Sequence, residues 1–285
     1  MSSSLSSSCF DVEVTDKVAH IRLNRPDDLN SMVREFWTEL PEVVRGLDAR
    51  GDVRAIVVSS TGRHFSAGMD LGVFTSGDTA ITPDDSHEMG RVRARLRQTA
   101  LMLQESFTSF ERVRMPVLVA IQGGCIGGAV DMVTAADMRY ASADAFFVIQ
   151  EINIGMTADV GTLQRLPKLI PDGVAREMAY TGRRLSAQRA LEVGLINEIF
   201  PTHEELVAGV LAIAHEIASK SPLAIWGTKE MLLYSRDHSV TDGLNHIATW
   251  QTGMFQPSDM VETFTAKAEG RDPVFPDLLP EPDSF

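Results

Sequence analysis

Cysteine is nearly absent from this 285-residue chain, which has only Cys9 and Cys125. Cys9 lies in a polar N-terminal stretch and Cys125 in a run of glycines. A disulfide framework is therefore not expected, and two thiols without matching histidines make a poor metal site. The seven histidines fall in no HExxH pattern, and no CxxC occurs. Positive charge is scarce too, with 26 Lys and Arg against 39 Asp and Glu and a formal net charge of −13. Nucleic acid and anionic lipid select clustered cations, so neither partner is expected. A small anionic ligand stays compatible, because a few placed cations can hold its phosphates. No apolar run reaches the length of about 18 residues that spans a membrane.

Three further signatures are missing. There is no GxGxxG, which disfavours a dinucleotide-dependent dehydrogenase, and Ala129-Val130 stands where a P-loop needs Lys-Ser/Thr. No serine sits in G-x-S-x-G, so a hydrolase nucleophile elbow is lacking. The opening MSSSLSSSC carries no Arg or Lys, and the closing EPDSF is not an SKL-type address. These absences lead to the expectation of a cytoplasmic enzyme.

What is present suits a soluble globular protein: 44% of residues are hydrophobic and 23% charged. The length allows one large domain or one domain with an appendage. Phe10–Val14 and Val18–Leu23 flank a polar Thr15-Asp16-Lys17 and predict an antiparallel hairpin. A helix is expected from Val33 to Leu47. Arg54–Ser59 (RAIVVS) and Pro116–Ile121 (PVLVAI) are apolar enough for strands buried on both faces. Glycine loops follow at Ser66–Gly72 and Gly123–Gly128, with helices within Glu88–Arg114 and up to Ala136, then a strand at Met138–Ala141. This alternation predicts an α/β fold with parallel pairing. Residues 1–9 read as a disordered tail, 10–200 as the α/β core and 201–285 as a helical C-terminal region. The polar segment Thr75–Asp85 reads as a surface loop, equally a ligand cover or a bland excursion.

The glycine cluster Gly123-Gly124-Cys125-Ile126-Gly127-Gly128 follows a strand and opens a helix, which offers backbone N–H groups to an anionic oxygen. Alone, a tight packing turn explains it better. Ser66-Ala67-Gly68-Met69-Asp70-Leu71 is a second small-residue loop after a strand, and two converging N–H donors make an oxyanion hole. Acids complete the constellation. Asp131 sits in an otherwise apolar helix, Glu151 follows an apolar strand, and Asp159 lies in a turn. Asp159 by itself reads as an N-cap on a helix over Val160–Lys168. Three acids after apolar runs point instead to proton-transfer groups with raised pKa. Asp137 with Arg139 reads as a structural ion pair, and His64 as a loop surface residue.

These residues resemble the enoyl-CoA hydratase/isomerase (crotonase) superfamily. Ser66–Leu71 is similar to its AGxDL loop, Ala120–Asp131 to its glycine-rich oxyanion segment, and Asp137-Met138-Arg139-Tyr140-Ala141 to its DxRxA strand. The likeness runs from about residue 10 to 270. It implies a crotonase-like spiral of repeated β-β-α units with a C-terminal helical trimerisation region, and a homo-trimer or homo-hexamer. It implies an acyl-CoA thioester substrate, with coenzyme A part of that substrate and no separate cofactor or metal. By position, the N–H groups of Met69 and Gly128 would hold the thioester oxygen. Ala67 would lie near the CoA adenine, and Arg25 and Lys267 would be candidates for CoA phosphate contacts, Lys267 across a subunit boundary.

Within the superfamily, hydratases place glutamates where this chain has Asp131 and Glu151. Asp131 departs from that pair, whereas CIGGAVD and ADVGTLQRLP are similar to the dienoyl-CoA isomerases. That resemblance implies conversion of 3,5-dienoyl-CoA to 2,4-dienoyl-CoA in fatty acid β-oxidation. Glu151 would work at C2 and Asp159 at C6, with Asp131 in support. A 2-enoyl-CoA hydratase is the alternative, and a non-catalytic acyl-CoA-binding homologue a second.

Overall fold

The computed structural model describes residues 3–70, 72–75 and 88–282. Strands β1 (Ser3–Ser6), β2 (Phe10–Thr15) and β3 (Val18–Leu23) precede helix α1 (Arg34–Ala49). Next come β4 (Ala55–Ser60), α2 (Gly72–Thr75), α3 (Met89–Arg112), β5 (Val117–Ile121), β6 (Gly124–Ile126) and α4 (Gly128–Ala135). Strands β7 (Met138–Ser142) and β8 (Phe146–Val148) lead to α5 (Thr162–Leu169) and α6 (Asp172–Thr181), and β9 (Leu185–Ser186) to α7 (Ala187–Glu192). After β10 (Glu198–Phe200) the chain is helical through α8 (His203–Ala218), α9 (Pro222–Asp237), α10 (Val240–Met254) and α11 (Pro257–Glu269).

The large sheet has the order β1-β2-β3-β4-β5-β7-β10, antiparallel as far as β3 and parallel beyond it. Asp16 and Lys17, both at positive φ, form the two-residue hairpin turn between β2 and β3. β4 and β5 are buried along their whole length. One face of the sheet packs on α1, α3 and α4, and the other on Leu206, Val210, Ala214 and Ala218 of α8. Covering both faces is why these strands read as unbroken apolar runs.

A smaller layer, β6-β8-β9, is extended by parallel bridges Met32↔Met69 and Ser66↔Cys125. Each turn of the chain thus lays one strand in the large sheet, one segment in the small layer, then a helix. This is the β-β-α spiral of the crotonase-like fold, and it brings the segments after β4, β5 and β8 side by side.

Three expectations need correction. Residues 1–9 are not a disordered tail throughout: Ser3–Ser6 pairs with Asp11–Val14, since an edge strand offers backbone partners whatever its side chains, and Cys9 is buried. Helix α8 belongs to the core, covering the second sheet face, and beyond α11 the chain runs extended back over the core, where Phe275 is buried and Asp277 pairs with Lys17 and Arg54. Asp137 does not pair with Arg139. The buried Arg139 donates to the carbonyls of Leu195, Val133 and Ala136 instead. Asp137 Oδ2 lies 2.9 Å from Lys229 Nζ, which also donates to Phe110 O and Met115 O at 2.6 and 2.9 Å. The expected loop over Thr75–Asp85 lies outside the described residues apart from Thr75, the end of α2.

Lys229 therefore ties α9 to the turn between α3 and β5. Lys229→Met leaves two carbonyls and a partly exposed carboxylate without their cation, and should lower unfolding stability by about 2–4 kcal/mol. Urea denaturation checks this; a change below about 0.5 kcal/mol, as at ordinary surface sites, would contradict it.

Candidate active site

A cavity of about 750 Å³ opens where the two glycine loops meet; Ala67, Met69, Gly127, Gly128, Asp131, Glu151 and Asp159 are among its lining residues. The loops touch backbone to backbone. Gly68 has φ +83°, and a Cβ there would stand 3.2 Å from Gly128 N and 2.5 Å from Ile126 O. A Cβ on Gly128 would stand 3.8 Å from Met69 N. The rungs Ser66 N to Gly124 O and Ile126 N to Ser66 O, both 3.1 Å, hold this approach in register. Met69 and Gly128 thus bring their N–H groups to one end of the cavity, and neither donates to a protein acceptor among the described residues. Two such donors suit an oxygen that gains negative charge.

Glu151 sits beside them. It opens a 3₁₀ turn (Glu151–Ile154), and a Cβ on Gly127 would lie 3.1 Å from its Oε1. Burial, reinforced by the charge of Asp131, pushes its carboxyl up to about 7. Asp131 is buried on α4, and its pKa rises to about 6, chiefly from desolvation, offset by its bonds to Thr162. Its Oδ1 accepts from Thr162 N at 2.6 Å, at the first residue of α5. Asp159 is the most open of the three, and partial burial against the cavity wall raises its pKa. Glu151, at about 7, can both accept and deliver a proton near neutral pH, and Asp131 and Asp159, also raised, stand against the same cavity.

The helix-cap reading of Asp159 does not hold. Helix α5 begins at Thr162 with Gly161 as its cap, and the acid serving that helix end is Asp131, 31 positions earlier in the chain. Arg25 is committed within the protein, to Ser31 O and Asp28, and shapes a loop whose Asp27, Asp28, Leu29 and Ser31 line the cavity. Lys267 is exposed on α11 and does not line the cavity. His64 is more than a surface residue: its Nδ1 accepts from Gly124 N at 2.9 Å, and burial lowers its pKa, which suits the neutral acceptor form.

Sequence reading missed Trp37 and Arg184. Trp37 is buried against Phe107 and places its ring edge 3.8 Å from the position of a Gly128 Cβ. Arg184 stacks 4.2 Å over Phe146 and is the one cation among the described lining residues. Neither carried a signal in the sequence, since each lies far along the chain from the motif it meets. Among the described residues no cluster of His, Cys, Asp or Glu has metal-binding geometry.

Residues 13–278 match the enoyl-CoA hydratase/isomerase family, and the chain belongs to it. The mitochondrial Delta(3,5)-Delta(2,4)-dienoyl-CoA isomerase of Homo sapiens is 44% identical over 90% of this chain and 77% of its own length. The peroxisomal Delta(3,5)-Delta(2,4)-dienoyl-CoA isomerase of Arabidopsis thaliana is 42% identical over 92% of this chain and 93% of its own. Among solved structures, an enoyl-CoA hydratase from Bacillus anthracis superposes with a TM-score of 0.83 at 28% identity, covering 94% of this chain and 99% of that one. These relatives overturn the cytoplasmic expectation, since the isomerases are named mitochondrial and peroxisomal. That expectation leaned on missing address signals, which weigh less than two relatives placed in organelles.

The raised Glu151 makes stability depend on pH in a defined sense. An acid whose folded pKa exceeds its unfolded one favours the fold at low pH, and that contribution is lost as pH rises through about 7. Glu151→Gln should therefore match the wild type near pH 4.5 and exceed it at pH 8 by on the order of 2 kcal/mol. Urea midpoints at the two pH values test this; an equal offset at both would contradict it.

Proposed function

We propose that this member of the enoyl-CoA hydratase/isomerase family converts 3,5-dienoyl-CoA to 2,4-dienoyl-CoA in fatty acid β-oxidation, as the names of its dienoyl-CoA isomerase relatives suggest. One observation carries the reading: Glu151 and Asp159, both with raised pKa, line the same cavity as the Met69 and Gly128 N–H groups.

The thioester carbonyl sits against those two N–H groups, with Ala67 at the same wall. Ionised Glu151 takes a proton from C2, and the C–H electron pair spreads over the thioester and the diene as a trienolate, with charge reaching C6. The N–H groups stabilise the charge gathering on the thioester oxygen. Asp159, protonated, delivers a proton to C6, and the double bonds settle at C2–C3 and C4–C5. One C–H bond breaks and one forms, leaving Glu151 protonated and Asp159 ionised. The exposure of Asp159 lets it recover its proton from solvent, and Glu151, its carboxyl at about 7, gives up the proton it took before the next turnover. Asp131 holds the start of α5 and raises Glu151 through its charge. A hydratase reading would need Asp131 to position a water, and its Oδ1 is already engaged by the Thr162 amide.

Coenzyme A is part of the substrate, and the reaction needs no further cofactor. Self-association belongs to the same proposal. Leu232, Val240 and Leu244 are 68%, 79% and 65% exposed around an apolar groove of about 700 Å³ between α9, α10 and α11. Apolar surface of this kind suits a homo-trimer or homo-hexamer. Lys267 enters as a residue that a neighbouring copy brings to the CoA phosphates.

Incubation with a 3,5-dienoyl-CoA should generate the absorbance of a conjugated 2,4-dienoyl thioester. Asp159→Asn should slow it about 10²- to 10⁴-fold. Retention of full rate in that variant, or hydration of a 2-enoyl-CoA in place of isomerisation, would sink the reading. Gly128→Ala puts a methyl group between the two N–H donors and should lower kcat about 10²- to 10³-fold with the fold retained by circular dichroism. An unchanged kcat would remove Gly128 N from the mechanism.

A further inference from the structure

The carboxyl of Asp159 contacts no other side chain through a described hydrogen bond or ion pair, so its aim depends on its main chain. That main chain is gripped from outside the cavity. Gln104 Nε2 of α3 donates to Asp159 O at 2.8 Å. Two residues on, Gly161 has φ +136°, a conformation that glycine alone adopts freely, and a Cβ there would overlap the guanidinium of Arg165. Arg165 is held in turn. Its Nε and Nη2 each lie 3.0 Å from the Glu111 carboxylate, and Nη2 donates to Thr108 Oγ1 at 3.1 Å.

Glu111 also accepts from Arg236 at the end of α9. Burial alone would raise Glu111, yet its bonds from Arg165 and Arg236 hold it below the usual carboxylate range. Behind the turn lies a polar cavity of about 390 Å³, lined by Val160, Gly161 and this same cluster. The turn therefore has room to fall back, and the cluster forms the wall of that space and holds the turn from it.

We propose that Gln104 and the Glu111–Arg165–Arg236 cluster are positioning residues for Asp159, so that the tip of α9 sets the geometry of the proton donor. The inference rests on the isomerase reading, in which Asp159 serves C6 alone. Proton removal at C2 needs only Glu151 and the two N–H donors, so the two ends of the reaction can be scored separately. A clamp on Asp159 affects one end; general loosening affects both.

The test compares Gln104→Leu, Arg236→Gln and Arg236→Lys with the wild type. Steady-state kinetics on 3,5-dienoyl-CoA are measured beside exchange of the C2 hydrogens of a saturated acyl-CoA in D₂O, followed by NMR. In Gln104→Leu and Arg236→Gln, kcat should fall roughly 10- to 100-fold, the scale expected for an ångström of misplacement, with KM and C2 exchange unchanged. Arg236→Lys should recover most of kcat. A kcat within twofold of wild type in both loss variants overturns the inference, as does a parallel fall in C2 exchange. A wild type that exchanges C2 hydrogens and forms no 2,4-diene defeats the isomerase reading itself, and the inference falls with it.

Discussion

The site depends on two main chains approaching closer than any side chain allows. Gly68 lies against Ile126 O and Gly128 N, and Gly127, at φ +55°, leaves the space that the Glu151 carboxyl occupies. A methyl group at Gly68 would meet a backbone oxygen that has nowhere to go. Because the approach is made by backbone, the Met69 and Gly128 N–H groups are as rigid as the layer they belong to. In the proposed reaction such rigid donors would need no reorganisation as charge develops on the thioester oxygen. The Ser66↔Cys125 bridge and the His64 bond to Gly124 N lock the same two loops.

Around that contact the fold sets three carboxyl groups at a cost in stability, since burying a carboxylate is unfavourable. The three carry different loads. Asp131 spends one oxygen on the Thr162 amide, and so fixes where α5 starts and where the preceding turn lies. Glu151, with its shift to about 7, is poised to exist in both protonation states near neutrality. Asp159 keeps access to solvent at the cavity edge. The order of burial, with Asp131 deepest and Asp159 most open, follows from their elements: a core helix, a 3₁₀ turn at the rim, and a loop.

The outer supports share a feature: they connect segments distant along the chain. Lys229 joins α9 to the α3–β5 turn, Arg236 joins α9 to α3, and Arg54, just before β4, joins the sheet to the segment after α11 through Phe275 O and Asp277. The C-terminal helices are therefore wired into the core by charged groups, while an apolar face remains directed outward.

Much of this was legible in the linear chain. The β-branched runs of β4 and β5, the two glycine loops and the three acids are local patterns. Short-range sterics and burial on both faces leave such patterns few alternatives. The family resemblance followed from their order. What the linear chain could not settle were the pairings: Asp131 with Thr162 rather than a free carboxylate, Asp137 with Lys229 rather than Arg139, and α8 beneath the sheet rather than in an appendage. An acid reads the same whether its partner lies two residues away or ninety. Only packing decides which cation or amide reaches it, because the energy of a buried charge is set by neighbours that the chain brings together after it folds.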